Sequence, residues 1–335
     1  MSDKKTVAVL GAGNMGTAVA FVLADNGHQV KIWNWEGDLE PLKQIEKYHE
    51  NKKYLKGVKL SENIVPCYKI AEAVQNAEVI FFVVPSGVME HTISFAARNI
   101  KHNAVLVDVS KGIDNHSFCL IPYMMMKHVR PELKKNVVCI SGPAIAKQMV
   151  KRQFTAMSIA GKNSKAIRRV KEVLENNYTK LITSDDLVGV EVGGSFKNVY
   201  AIAMGICDAL KYGLNTKAAL IVSAISEMAD LIKAMGGKRY TAYELSGLGD
   251  LIGTALCEDS RNRLFGEYLG KGLSGSAALK KVGQTVEGAE AAKCLIILAD
   301  KYKIKLPFAA VVYQSIFGQK KAAILMKNYL NQCRF

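Results

Sequence analysis

Apolar residues follow two different patterns along the chain, and the pattern changes near residue 187. Before that point, short apolar runs such as residues 6–10 alternate with longer segments in which apolar residues recur at helical spacing. Uninterrupted apolar runs are typical of parallel strands that helices cover on both faces. We predict strands, all in one sheet, at 6–10, 29–33, 79–84, 104–109, 137–140, 153–160 and 179–183.

Beyond residue 187, β-branched runs become rare and helical spacing dominates. We predict helices at 187–211, 215–235, 239–250, 260–270, 274–281, 286–301 and 307–318. A chain of 335 residues exceeds the usual size of one domain. We therefore predict an α/β domain with a doubly wound sheet in residues 1–187 and an all-α domain in residues 188–335.

A glycine-rich loop follows the first predicted strand. Residues 11–16 read Gly-Ala-Gly-Asn-Met-Gly and lead into a helical pattern. In this context Gly11 permits the tight turn, Gly13 lets a pyrophosphate approach the backbone, and Gly16 lets the helix pack on the strand. The alternative is a glycine turn that binds no ligand. The loop favours a Rossmann-like, dinucleotide-binding first domain.

The end of the second strand bears on the choice of cofactor. Dinucleotide-binding folds often place Asp or Glu there for the ribose 2′-hydroxyl, or Arg for a 2′-phosphate. Here Trp35 and Glu36 follow the strand, with Glu36 slightly late and no Arg nearby. This arrangement favours NAD(H) over NADP(H) without deciding between them.

The longest predicted helix, 187–211, carries the cation Lys197 in a nearly apolar sequence that also contains Gly193 and Gly194. Burying a Lys is costly unless an anion meets its ammonium group. Burial also lowers the pKa of a Lys, which suits proton transfer near neutral pH. The alternative is a side chain that reaches from a core helix to solvent.

Three further segments carry candidate chemistry. Lys111 follows a predicted strand, at the sheet rim that holds ligands in open α/β folds. Asp250 lies between glycines in an apolar setting, either as a helix cap or as the anion that a buried Lys needs. Residues 260–262, Ser-Arg-Asn, open a predicted helix and could receive a phosphate, or could form an exposed helix start with salt bridges.

Composition narrows the function classes. The net charge of +15 comes from lysines spread along the chain, which favours anionic small substrates over a nucleic-acid groove. No uncharged apolar run reaches about 18 residues, so no transmembrane helix is expected. Seven scattered cysteines without a C-x-x-C motif indicate reduced thiols in a cytoplasmic protein. Neither a disulfide framework nor a metal site is expected.

Together these motifs resemble the NAD(P)-dependent glycerol-3-phosphate dehydrogenases, closest to the bacterial-type enzymes, over nearly the whole chain. The resemblance rests on Gly11-Ala12-Gly13-x-x-Gly16-Thr17-Ala18, Val84-Pro85-Ser86, Ser110-Lys111-Gly112, Ser141-Gly142-Pro143-x-x-Ala146-Lys147, Gly193-Gly194-x-x-Lys197-Asn198-Val199, Gly247-Leu248-Gly249-Asp250-Leu251, Ser260-Arg261-Asn262-Arg263 and Val286-Glu287-Gly288.

The resemblance implies reversible hydride transfer between NAD(P)H and dihydroxyacetone phosphate, giving sn-glycerol 3-phosphate for glycerophospholipid synthesis. The cysteine usage indicates the cytoplasm, and the largely apolar helices 215–235 and 286–301 could supply the face of a homodimer. The resemblance also implies catalytic roles for Lys197, Lys111 and Asp250. It implies substrate contacts at Lys111, Gly142, Ala144, Lys197, Asn198, Asp250, Thr254, Ser260, Arg261 and Asn262. It implies contacts with NAD or NADP at Gly11, Gly13, Asn14, Met15, Gly16, Trp35, Pro85, Lys111, Ala146, Arg261 and Glu287.

Some residues depart from the family pattern. Met15 stands where an aromatic residue is usual, Asn14 where Ser is common, and Gln148 where Glu is usual. Ala144 replaces a Ser or Thr and so removes one hydroxyl. An alternative function is a related two-domain dehydrogenase that acts on another hydroxy acid, for which a phosphate clamp would be unnecessary. A dinucleotide sensor or a basic nucleic-acid binder is a third, weaker hypothesis.

Overall fold

The computed structural model describes residues 4–114, 117–255, 257 and 260–332. The chain divides into two compact units. The first contains Met1–Ser110 and Cys119–Leu187, and the second contains Lys111–Phe118 and Val188–Phe335. The division predicted from sequence kept residues 111–118 in the first domain, whereas the structure groups them with the helical unit.

The first unit contains an eight-stranded sheet. Its strands are β1 (Thr6–Leu10), β2 (Gln29–Trp33), β3 (Ile64–Cys67), β4 (Val79–Phe82), β5 (Val105–Asp108), β6 (Val137–Ser141), β7 (Thr155–Gly161) and β8 (Thr179–Ser184). Their spatial order is β3-β2-β1-β4-β5-β6-β7-β8. Every neighbouring pair is parallel except β6 and β7. The predicted α/β sheet is confirmed, and β3 is an edge strand that the sequence analysis missed.

Helices lie on both faces of this sheet. They are α1 (Asn14–Asp25), α2 (Glu40–Tyr48), α3 (Ile70–Val74), α4 (Met89–Ala96), α5 (Ile121–His128), α6 (Pro131–Lys134), α7 (Ala146–Met149) and α8 (Ser164–Leu174). Successive strand side chains point to opposite faces. Accordingly, Val7 and Val9 belong to one buried apolar cluster, and Ala8 and Leu10 belong to another. This two-sided core is what the continuous apolar strands predicted.

The sheet order reverses at β1, which pairs with β2 on one side and with β4 on the other. In open α/β sheets, ligands bind at such a reversal, beyond the carboxyl ends of the strands. The glycine-rich loop leaves β1 at this point, and Pro85 follows β4. The fold therefore places the predicted cofactor loop where a dinucleotide is expected.

The described part of the second unit beyond residue 187 consists mainly of helices. It contains α9 (Leu187–Ala209), α10 (Leu214–Ala234), α11 (Asp250–Ala255), α12 (Arg261–Gly270), α13 (Gly275–Val282), α14 (Glu287–Tyr302), α15 (Pro307–Phe317) and α16 (Ala322–Gln332). The prediction of one helix over 239–250 is wrong. A 3₁₀ turn (Arg239–Tyr243) and a π turn (Leu245–Gly249) occupy it instead. No helix in the described parts of the chain is long and apolar enough to span a bilayer.

Two glycines bring α9 and α12 into direct backbone contact. A Cβ on Gly205 would lie 1.9 Å from the carbonyl oxygen of Arg263, and one on Gly266 would lie 2.0 Å from that of Ile202. Only glycine permits such an approach at either position. The contact fixes the start of α12, which carries the predicted phosphate-binding residues, against the central helix of the unit.

Candidate active site

The glycine-rich loop of the first unit fits a dinucleotide. Gly11 has φ of 113°, and a Cβ there would lie 2.4 Å from the carbonyl oxygen of Val83. A Cβ on Gly16 would lie 1.8 Å from the carbonyl oxygen of Gly11. By contrast, the space beside Gly13 is open within 4 Å. Gly13 is also the N-cap of α1 and offers no side-chain cap. The first N–H groups of α1 are thus available to a pyrophosphate.

Two buried asparagines hold the peptide of Ala12 in this loop. The backbone N–H of Ala12 donates to Oδ1 of Asn34 (3.1 Å), and its carbonyl accepts from Nδ2 of Asn51 (2.9 Å). Asn51 also donates to Oγ1 of Thr17 (2.8 Å). Sequence reasoning missed both side chains. The available signal for Asn34 was a polar residue directly after an apolar strand.

Other predicted residues of the first unit follow the strands at the same edge of the sheet. Pro85 precedes the 3₁₀ turn after β4, and Trp35 follows β2 with 62% of its side chain exposed. Gly142, Ala144 and Ala146 follow β6. Gly142 has φ of 155°, and a Cβ there would lie 2.9 Å from the Cα of Met157, so glycine is needed at this turn.

Four predicted side chains of the second unit form one hydrogen-bonded cluster. Lys197 donates to Oδ1 of Asp250 and to Oγ1 of Thr254, the latter at 2.5 Å. Lys111 donates to Oδ2 of the same carboxylate at 2.6 Å. The side chains of Lys197 and Asp250 are 6% and 2% exposed. Of the two alternatives left open for Asp250, the structure thus places the carboxylate against the buried lysine.

Burial and charge shift the pKa values of the two ammonium groups in opposite directions. Burial lowers the pKa of Lys197 to about 7, and the positive charge of Lys111 contributes while Asp250 opposes the shift. Burial is also the largest influence on Lys111 and acts to lower its pKa, but the charge of Asp250 and the hydrogen bonds of Lys111 together outweigh burial and raise that pKa. Lys111 therefore stays an ammonium near neutral pH, whereas Lys197 can exchange a proton there.

Small residues position this cluster. A Cβ on Gly193 would lie 2.8 Å from the carbonyl oxygen of Ser246, so glycine lets the turn before Asp250 approach α9. Oγ of Ser195, 1% exposed, donates to the carbonyl oxygen of Gly112 at 2.9 Å and so holds the segment that carries Lys111. The sequence analysis did not single out Ser195, although it stands two residues before Lys197.

A second group of predicted residues surrounds the start of α12. Ser260 is the N-cap of the helix, and its Oγ accepts from the backbone N–H of Arg263 at 3.3 Å. Oδ1 of Asn262 accepts from the N–H of Gly288 at 2.9 Å. The side chain of Arg261 is exposed and makes no hydrogen bond to another described residue. Arg261 and the Nδ2 group of Asn262 can thus donate to a ligand.

Glu287 and Asn198 connect to this group. Nδ2 of Asn198 donates to Oε2 of Glu287 at 3.3 Å, and burial raises the pKa of Glu287. A Cβ on Gly288 would lie 2.6 Å from the carbonyl oxygen of Asn198. The start of α14 therefore packs on α9 at Asn198, the residue that follows Lys197 in the sequence.

Among the described residues, no set of His, Cys, Asp and Glu could hold a metal ion.

Comparison with known families accounts for nearly the whole chain. A family model described as the N-terminus of NAD-dependent glycerol-3-phosphate dehydrogenase matches residues 6–167. The model described as the C-terminus of the same enzyme matches residues 186–327. The first range contains the glycine-rich loop and Lys111, and the second contains Lys197, Asp250 and Thr254.

Individual relatives agree with these matches. The proteins named glycerol-3-phosphate dehydrogenase (NAD(P)+) from Bacillus velezensis and Bacillus subtilis are 39% and 38% identical to the chain. Each comparison covers 97% of the chain and 94% of the relative. A crystal structure of glycerol-3-phosphate dehydrogenase from Coxiella burnetii matches with a TM-score of 0.92 at 32% identity, over 98% of this chain and 99% of that one.

Proposed function

The chain belongs to the family of NAD-dependent glycerol-3-phosphate dehydrogenases, and from this premise we propose that it transfers a hydride reversibly between NAD(P)H and C2 of dihydroxyacetone phosphate, giving sn-glycerol 3-phosphate. The observation that carries the proposal is the buried cluster in which Lys197 and Lys111 share the carboxylate of Asp250. A ketone that becomes an alkoxide needs a nearby cation and a proton, and this cluster supplies both.

Lys197 is the proton donor in this proposal. An ammonium has three N–H groups, and within the described chain Lys197 uses one for Asp250 and one for Thr254. The third can donate to the ketone oxygen. With a pKa of about 7, Lys197 can give up that proton during reduction and take it back during oxidation.

Lys111 and Asp250 set the electrostatics around that proton. Lys111 remains charged and stabilises negative charge on the ketone oxygen. Asp250 fixes both ammonium groups and limits their mutual repulsion. The bound nicotinamide supplies or accepts the hydride.

The start of α12 binds the phosphate of the substrate. Arg261 and Asn262 carry free side-chain donors, the α12 N-terminus adds backbone N–H groups, and Ser260 adds its hydroxyl. Binding energy at the phosphate orients C2 for reaction. Asn198 adds a contact from α9. Gly142 and Ala144 are further proposed substrate contacts.

The cofactor is bound chiefly by the first unit in this proposal. The pyrophosphate lies on the glycine-rich loop, with Gly13 and the first residues of α1, Asn14 and Met15, around it. Trp35 and Pro85 contribute at the carboxyl ends of β2 and β4, and Ala146 contributes after β6. Glu287, Lys111 and Arg261 are further proposed cofactor contacts.

We also propose that the protein works in the cytoplasm. The six described cysteines are free, which suits that reducing compartment.

We further propose that the protein forms a homodimer. Leu214 and Val222 on α10 are 71% and 60% exposed, an apolar surface that suits a dimer interface. Light scattering of the purified protein tests the dimer, and a monomer at micromolar concentration would contradict it.

Loss of NADH or NADPH absorbance on addition of dihydroxyacetone phosphate tests the proposed activity. We expect turnover with this substrate and at least about tenfold lower kcat/KM with 2-keto and 3-keto acids, which lack the phosphate that Arg261 recognises. Comparable turnover with a keto acid would favour the hydroxy-acid alternative. Absence of turnover by folded protein that binds cofactor would contradict the proposal.

A further inference from the structure

The turn after β2, residues 34–38, lies directly against the cofactor loop. The N–H of Gly11 donates to the carbonyl oxygen of Trp33 (2.8 Å), and the N–H of Ala12 donates to Asn34, the first residue of the turn. Nδ2 of Asn34 donates in turn to the carbonyl oxygen of Asp38 at 2.6 Å. One buried asparagine therefore fixes both ends of the turn and joins it to the loop.

This turn presents one uncompensated carboxylate. Glu36 is exposed and makes no hydrogen bond to another described residue. Although Glu36 stands slightly beyond the end of β2 at Trp33, it follows Gly16 by about 20 residues, close to the interval at which dinucleotide-binding folds place the acidic residue for the ribose. The neighbouring Trp35 is uncharged, and its ring covers Gly37, since a Cβ there would lie 2.0 Å from the indole.

The lysine that contacts the turn is already paired with a carboxylate. Nζ of Lys53 lies 2.7 Å from Oδ1 of Asp38, whose other oxygen accepts from the hydroxyl of Tyr54 at 2.6 Å. Asp38 thus neutralises the nearest lysine, and the charge left unbalanced at the turn is that of Glu36.

From this arrangement we infer that the chain selects NADH over NADPH, and that Glu36 is the residue that sets the selection. The inference rests on the proposed function and narrows its cofactor. A carboxylate accepts a hydrogen bond from the 2′-hydroxyl of the adenosine ribose. The same carboxylate repels a 2′-phosphate, which carries close to two negative charges and needs an Arg or a free Lys to bind.

Calorimetric titration of the whole protein with NADH and with NADPH, without substrate, tests the inference. We expect NADH to bind at least about tenfold more tightly. Because Glu36 is exposed, raising the salt concentration should narrow the difference. Glu36→Arg should bring the two dissociation constants to within about threefold, mainly by strengthening NADPH binding, since a guanidinium pairs well with phosphate. Glu36→Gln should give an intermediate ratio.

Glu62→Arg is the matched control. Glu62 is also exposed, but it precedes β3 and so lies at the amino ends of the parallel strands. This control should keep the wild-type ratio. Equal binding of both cofactors by the wild type, or an unchanged ratio in Glu36→Arg, would overturn the inference and leave the proposed function standing. Failure of the folded protein to bind either cofactor would overturn both.

Discussion

Two carboxylates of the second unit each accept from two cations, yet they have very different surroundings. Asp250, 2% exposed, accepts from Lys197 and Lys111. Asp208 is 17% exposed and accepts from Nζ of Lys217 at 2.7 Å and from Nε of Arg263 at 2.6 Å. The charges are the same in number and sign, so burial is the main difference between the two clusters.

Burial changes what the charges do. At Asp208, burial works against the charged form, but the hydrogen bonds from Lys217 and Arg263 outweigh it and lower the pKa of the carboxyl. At Asp250, burial instead lowers the pKa of one partner, Lys197, to about 7. The partly exposed cluster fixes helices α9, α10 and α12 together, whereas the buried one holds a proton that can move near neutral pH.

The largest expected effect is on turnover. Lys197→Met removes the proton donor while Asp250 keeps Lys111 as its partner, so the protein should fold. We expect kcat/KM for dihydroxyacetone phosphate to fall by about 1000-fold. Lys217→Met, the matched change in the other cluster, should lower it by less than about twofold. Similar losses in the two variants would contradict the separation of roles.

Removing the carboxylate of each cluster should lower the free energy of unfolding by different amounts. Asp250→Asn leaves two cations facing each other in a buried site, so unfolding in urea should show a loss of about 3 kcal/mol together with a large loss of kcat. Asp208→Asn should cost about 1 kcal/mol and leave kcat unchanged, because its cations reach solvent. A larger loss of unfolding free energy in Asp208→Asn than in Asp250→Asn would contradict this comparison.

Lys111→Met tests the coupling between the two lysines. The positive charge of Lys111 lowers the pKa of Lys197, so its removal should raise that pKa. The alkaline limb of kcat/KM for reduction should then move to higher pH, while kcat falls by about tenfold. The wild type is measured in the same buffers as the control. If the alkaline limb of kcat/KM lies at the same pH in both proteins, the two lysines do not interact.

The smallest expected effect is the response to salt. A double-mutant cycle of Asp208→Asn with Lys217→Met should give a coupling free energy of about 0.5 kcal/mol in about 0.1 M NaCl, and less in about 1 M, because partly exposed charges are screened. The same cycle on Asp250 and Lys197 should change little with salt. Equal salt dependence would mean that solvent reaches both clusters alike.

Local pattern was enough for most of the fold. The apolar runs predicted β1 and β4, and helical spacing predicted α9, whose observed end at Ala209 lies within two residues of the predicted one. Strand β3 was missed because it has four residues, includes Pro66 and lies at the sheet edge. The break in 239–250 arises from close packing, since a Cβ on Gly247 would lie 2.1 Å from the carbonyl oxygen of Ala242.

The site residues were predictable by type, but their partners were not. A Lys in an apolar helix indicated that an anion was needed, yet only the folded chain shows that Asp250 supplies it. The sequence could not show that Lys111 joins the helical unit, because its contacts there are with residues distant in sequence, such as the hydrogen bonds from Ser195 to Gly112 and from Lys111 to Asp250. Asn34 and Asn51 were missed for the same reason, since their role is to hold one distant peptide.

The most direct test of the account is the pH dependence of kcat/KM in both directions between about pH 6 and about pH 9. Lys197 must be protonated to reduce the ketone and neutral to oxidise the alcohol. With its pKa at about 7, reduction should slow as pH rises above that value, and oxidation should slow as pH falls below it. Flat profiles, or unchanged limbs in Lys197→Met, would contradict the claim that this buried amine carries the proton.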